Sequence, residues 1–203
     1  MRNILIAFAA TIAVAASIQT YALTIDEQVE ALLAKMTLEE KAGQLNQYSG
    51  YEIITGDIDE SKISQRNLLV KKGLVGSVLN VLGTEDVEKA QRYAVEQTRL
   101  GIPLMFAFDV IHGYRTIFPI PLAESASWDL EAMERSARIA AIEAAAAGQN
   151  WTFAPMVDIS HDPRWGRVME GAGEDPYLGG QIAKARVRGF QGNDLSLPDT
   201  IAA

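Results

Sequence analysis

Two stretches of the chain concentrate residue types that bind polar ligands. The first is Phe108-Asp109-Val110-Ile111-His112-Gly113-Tyr114-Arg115-Thr116-Ile117-Phe118-Pro119. A carboxylate ending a buried parallel strand lies on the face where α/β enzymes hold their ligands. Ionised Asp109 can accept two hydroxyl hydrogen bonds, one on each oxygen. Sugars present paired hydroxyls in that way. Arg115, six residues on, can return across the loop as a donor to the same ligand or to Asp109. The plainer alternative is an aspartate that caps a turn beside a local arginine.

The second stretch runs from Asp158 to Pro176. Asp158, His161, Asp162, Arg164, Arg167, Glu170, Glu174 and Asp175 crowd it, among several glycines. So many charges of both signs do not make a simple core. A salt-bridged surface loop is the ordinary reading. The glycines speak against it, because they permit unusual backbone angles and close approach around fixed charges. Arg167 and Glu170 are three apart and can pair, which would aim the guanidinium. Trp165 offers a flat apolar face to a pyranose ring or to the core.

Elements must position these stretches. Val29, Leu32, Leu33 and Met36 recur at helical spacing over 26–36. Thr37-Leu38-Glu39-Glu40 reads as a capping box opening a second helix towards Leu45. Residues 48–59 read as a loop. Val75–Leu79 is a short β-type run, and Thr84–Arg99 a helix with Val87, Ala90, Ala94 and Val95 on one face. Leu104–Phe108 is apolar throughout, as strands buried on both faces are. Trp128-Asp129 opens a predicted helix that continues to about Ala147 with Gly148 beyond its end, and a strand is predicted over 150–157. Asp175-Pro176 starts a last helix reaching Arg188. Strands alternating with helices imply parallel α/β architecture. This order fits a closed barrel and an open doubly wound sheet equally.

The 203 residues are 48% hydrophobic and 22% charged, enough for one domain with a sizeable core but short of a whole (β/α)8 barrel, which needs about 250. The net charge of -8 repels phosphate backbones and anionic lipid, so nucleic acid is excluded as a partner. With no cysteine, neither a disulfide framework nor a thiolate metal site is available, and no metal is expected. Residues 1–22 carry a basic start, an apolar run from Ile4 to Ile18, then Thr20 and Ala22 as small residues at -3 and -1. That is a secretory signal peptide, too short to span a bilayer. The expected location is the periplasm or outside the cell, with no stable membrane insertion after cleavage.

Taken together, the motifs resemble glycoside hydrolase family 3, in particular its bacterial β-glucosidases. GIPLMFAFDVIHGYRTIFPIPLAESASWD (101–129) is similar to the family's first signature and NWTFAPMVDISHDPRWGRVMEGAGEDPYL (150–178) to its second. KMTLEEKAGQL (35–45) is similar to its opening helix pair. The resemblance implies an α/β fold forming the N-terminal part of a (β/α)8 barrel, truncated, over 23–203. It implies that Asp109, Arg115 and Arg167 bind the sugar in the -1 subsite, with Glu170, His112 and Arg164 supporting. His161 stands where many members have arginine and reads as a loop variation.

The family's Lys-His pair, its nucleophile and its acid/base fall beyond Ala203, so no catalytic residue and no cofactor is expected in these residues. Alone, they are expected neither to hydrolyse β-glucosides nor to fold as a stable monomer. The implied activity is release of terminal non-reducing β-D-glucosyl residues from β-glucosides or β-linked gluco-oligosaccharides, with retention. A β-xylosidase, an exo-glucanase and a non-catalytic carbohydrate-binding module are the alternatives. The oligomeric state is left open.

Overall fold

The computed structural model describes residues 23–50 and 60–203, with the backbone alone over 60–63. The expected signal peptide and the loop residues 51–59 lie outside the described residues. The described residues divide into two compact units, the first ending at Lys35 and the second running from Met36 to Ala203. In the first, α1 (Ile25–Leu33) begins at a capping box. Glu27 N donates to Thr24 Oγ1, and Thr24 N donates to Glu27 Oε2 at 2.8 Å.

The second unit runs α2 (Leu38–Gln44), β1 (Gln47–Ser49), α3 (Glu60–Lys71), β2 (Ser77–Leu79), α4 (Thr84–Gln97) and β3 (Met105–Phe108). It continues with α5 (Pro121–Ser125), α6 (Leu130–Ala146), β4 (Trp151–Thr152), a 3-10 turn at Val168–Glu170 and α7 (Pro176–Gln191). The capping box expected at Thr37 and Glu40 forms, with Thr37 N donating to Glu40 Oε2 at 2.8 Å. Glu40 also receives Arg99 Nε at 2.9 Å. The arginine and the Thr37 amide hold its carboxyl down to about 2.

The four strands are all parallel and lie side by side in chain order, β1-β2-β3-β4. Ala202 then pairs in parallel with Trp151, through Thr152 N to Ala202 O at 2.8 Å and Ala202 N to Asn150 O at 3.0 Å. A doubly wound sheet reverses its strand order at a switch point. This sheet adds each new strand on the same side, as the opening strands of a (β/α)8 barrel do. The order of strands therefore decides what their alternation with helices could not.

Two departures from expectation have physical causes. Tyr48 lies in a strand rather than a loop, because β1 is three residues with no apolar run and is held by its ladder to β2. The strand expected over 150–157 stops at Thr152. Pro155 has no N–H to give a ladder, and the Thr152 hydroxyl accepts Ala154 N at 3.2 Å to turn the chain.

The buried apolar side chains form two clusters. Val70 of α3 and Val87 and Ala90 of α4 pack with Val75, Val78, Leu104 and Phe106. Ala137, Ala140, Ala141 and Ala144 of α6 pack with Phe190 of α7 and with Val110 and Ile201. The small α6 face matters. A Cβ on Gly189 of α7 would stand 2.3 Å from Glu134 O and 2.7 Å from Ala137 Cβ, so the two helices approach with no room for one.

Candidate functional site

Parallel strands carry their C-terminal ends to one edge, and both charged stretches leave the sheet there. Asp109 directly follows β3 and is exposed. The next residue, Val110, is fully buried, and its N–H donates to the Thr152 hydroxyl at the end of β4 at 3.2 Å. The chain is thus pinned one residue past the carboxylate. Among the described residues, the Asp109 carboxylate takes no hydrogen bond.

The loop after Asp109 is closed upon itself and clamped from outside. Phe118 N donates to His112 O at 2.9 Å, and His112 Nδ1 lies 3.0 Å from Phe118 O. A carbonyl can only accept, so Nδ1 carries the proton there. This occupies the histidine in holding the loop. Gly113 sits at φ +116, where a Cβ would fall 1.9 Å from Thr116 O. Tyr114 meets Phe108 edge-on at 5.6 Å, and burial pushes its phenol up.

Glu143 of α6 is the outer clamp. Its Oε2 accepts Arg115 N and Thr116 N, each at 2.8 Å, and its Oε1 accepts the Thr116 hydroxyl at 2.6 Å. The Thr116 hydroxyl and amide hold this carboxyl below the usual range. Arg115 therefore has a fixed backbone and an exposed side chain, and among the described residues it makes no ion pair with Asp109.

The second stretch follows β4. Arg167 Nε and Nη2 reach Glu170 Oε1 and Oε2 at 3.0 and 2.7 Å, a two-pronged pair. The pair raises the guanidinium and lowers the carboxyl. Asp109 and Asp158 raise the guanidinium further by smaller attractions. Arg164 instead grips Asp162, two residues back, at 2.6 Å, with its side chain 89% exposed. His161 and Trp165 are exposed as well. The structure brings Asp109 and Arg167 to one edge with Glu170 aiming the arginine, and it turns Arg164 to water.

Residues 37–201 match the model of the glycosyl hydrolase family 3 N-terminal domain. The chain belongs to glycoside hydrolase family 3. Over 167 residues it is 44% identical to the periplasmic β-glucosidase of Salmonella typhimurium, covering 82% of this chain and 21% of that protein. A putative β-xylosidase of Formosa agariphila is 31% identical over 183 residues, covering 84% and 24%. The crystal structure of the Listeria innocua β-glucosidase in complex with glucose superposes with a TM-score of 0.77 at 39% identity, covering 89% of this chain and 26% of that one. The chain thus spans about a fifth to a quarter of the length of these family 3 relatives.

Sequence reasoning missed Glu143, Arg186, Glu124 and Ser125. Each acts on a segment distant in sequence, so no local spacing marks it. Glu143 lies 27 residues from Thr116, and Ser125 lies 47 from Ala172.

Proposed function

We propose that these residues form part of the -1 sugar subsite of a β-glucosidase that releases terminal β-D-glucosyl residues with retention. Asp109 accepts two sugar hydroxyls, while Arg167, aimed by Glu170, and Arg115 donate to others. His112 holds the Asp109 loop in shape, and Arg164 supports the second loop from its outer side. The nucleophile and the acid/base come from outside residues 1–203, so these side chains hold the glycone and do not break its bond. Such positioning still governs rate, because a small displacement of the reacting carbon is costly. A retaining mechanism places its two carboxyl groups on opposite sides of the glycosidic bond. Export through residues 1–22 would bring the protein to oligosaccharides outside the cytoplasm, the setting named for the Salmonella relative.

The observation that carries this reading is that an exposed carboxylate, Asp109, directly follows β3, while the loop after the neighbouring parallel strand β4 carries Arg167, held by Glu170. A β-xylosidase is the second reading, favoured by the likeness to the Formosa protein. The test uses protein expressed from its complete reading frame. Asp109→Asn keeps the shape and removes a charge-assisted acceptor, a contribution of about 1.5–3 kcal/mol. Activity on aryl β-glucosides, as kcat/KM, should drop by about tenfold or more, with thermal unfolding unchanged. Wild-type kcat/KM in that variant removes Asp109 from the site. Faster turnover of aryl β-xylosides than of β-glucosides by the native protein selects the second reading.

A further inference from the structure

Arg186 lies on α7, outside both signature stretches, and is 3% exposed. A buried arginine is an expensive group to keep unless its donors are used. Here two acceptors serve its two Nη atoms, while the buried Nε meets no partner among the described residues. Nη1 meets Glu124 Oε2 of α5 at 2.5 Å, in a pair whose side chains are 4% and 9% exposed. Nη2 donates to the carbonyl of Ile111, two residues past Asp109. The next residue of α5, Ser125, is 4% exposed, and its hydroxyl donates to Ala172 O at 2.6 Å, two residues past Glu170. One short helix is therefore tied on one side, through Arg186, to the Asp109 loop. On the other side it is tied through Ser125 to the Arg167 loop.

We propose that Arg186, Glu124 and Ser125 form a bracket that sets the Asp109 loop and the Arg167 loop in register with each other. Arg186 is its central positioning residue. The inference rests on the sugar-subsite reading for its catalytic consequence, not for its structural one. A guanidinium suits the post because its rigid fork serves two acceptors in different directions at once, which an ammonium on a flexible stem does not do. The bracket works at the level of the loops. It touches neither Asp109 nor Arg167, and it fixes the carbonyls two residues beyond Asp109 and beyond Glu170. Two hydroxyl-binding groups on separate loops recognise one sugar only if their separation is held, and that separation is what the bracket holds.

The test separates positioning from folding. The double variant Glu124→Leu/Arg186→Met replaces the buried pair with apolar side chains, an exchange that is often neutral or stabilising. It removes the donor to Ile111 while keeping the core filled. Amide hydrogen exchange followed by mass spectrometry should then show peptides over 109–118 and over 166–173 exchanging about tenfold faster or more, with β2 and β3 still protected. Ser125→Ala should speed only the 166–173 peptides. In protein from the complete reading frame, the double variant should lose about tenfold or more in kcat/KM on aryl β-glucosides at an unchanged melting temperature.

Unchanged exchange in both segments of the double variant overturns the bracket, whatever the kinetics show. So does wild-type kcat/KM in the double variant beside an impaired Asp109→Asn. If Asp109→Asn is itself fully active, the sugar reading fails, and the exchange data alone decide the bracket. If the double variant melts early, Ser125→Ala carries the decision: selective loosening of 166–173 supports the bracket, and no loosening there overturns it.

Discussion

The two signature loops leave the same sheet edge but are held in opposite ways. The loop after β3 is fixed by groups far away in the chain. Glu143 of α6 takes three of its donors, Arg186 of α7 takes the Ile111 carbonyl, and Thr152 of β4 takes Val110 N. The charged pairs of the loop after β4 are within three residues, Asp162 with Arg164 and Arg167 with Glu170. Its long-range ties are fewer, chiefly Ser125 to Ala172. The difference suits the side chains each loop presents. A short carboxylate such as Asp109 can be aimed only by aiming its backbone. A long arginine can be aimed at its tip by a neighbour, so Glu170 suffices for Arg167.

Glycines give the sharpest way to break this comparison. In the first loop, Gly113→Ala would put a Cβ 1.9 Å from a backbone oxygen at φ +116. In the second, Gly166→Ala meets nothing within 4 Å. The first change should destabilise by roughly 2–4 kcal/mol, from crowding and an unfavourable backbone angle. The second should stay within about 0.5 kcal/mol. Denaturant unfolding of both variants checks this, and equal effects would dissolve the distinction between a tightly fixed loop and a locally tied one.

The two carboxylates come next in size. Glu143→Ala removes the acceptor of three hydrogen bonds, and water replaces part of them, so a loss of about 1–2 kcal/mol is expected. Glu170→Ala breaks a pair whose arginine is 57% exposed, and stability should change by under about 1 kcal/mol. The second variant should instead raise KM, because Arg167 loses its aim. The Glu143 contribution also has a pH signature. Its folded carboxyl is lowered from 4.5, so the clamp is complete above that value and is lost as pH falls through the folded one. The stability gap between native protein and Glu143→Gln should therefore close on acidification. A gap that widens in acid would show that Glu143 is not the charged acceptor.

The same contrast explains what could be read from the sequence. Thr37 with Glu40, Asp175 before Pro176 and Arg167 with Glu170 are partners three residues apart or closer, and each forms in the structure. Helices with a clean apolar face, such as α4, were equally legible. Neither α3 nor β1 was. The buried side of α3 includes Arg66, 7% exposed and bonded to Gly50 O at 2.7 Å, which hides the apolar pattern. The ladder of β1 depends on a partner strand 30 residues on. In the site, the residues that would face a ligand could be named from their motifs. Those that hold them, Glu143, Arg186, Glu124 and Ser125, could not, because tertiary contact alone gives them a role.

The smallest effect belongs to Arg164, and it tests whether density of charge in the second loop means importance. Its side chain is 89% exposed and paired with Asp162, itself 49% exposed, through two prongs and the Arg164 amide. Exposed pairs of this kind are screened by water and salt and add little to stability. Arg164→Ala should shift the melting temperature by no more than about 1 °C and leave KM near native, whereas Arg167→Ala should raise KM strongly at the same stability. The pair should still be visible in titration. Arg164 holds the Asp162 carboxyl below 3.8, chiefly through the side-chain hydrogen bonds, so removing it should move that carboxyl upward. Because the folded value is lowered, whatever the pair contributes exists above the unfolded value and fades as pH falls through the folded one. Carboxyl-carbon NMR of Asp162 in both proteins reads this directly. An Asp162 that titrates identically would mean that the pair does not persist in solution. An Arg164→Ala variant with a KM as poor as that of Arg167→Ala would place Arg164 at the ligand beside Arg167.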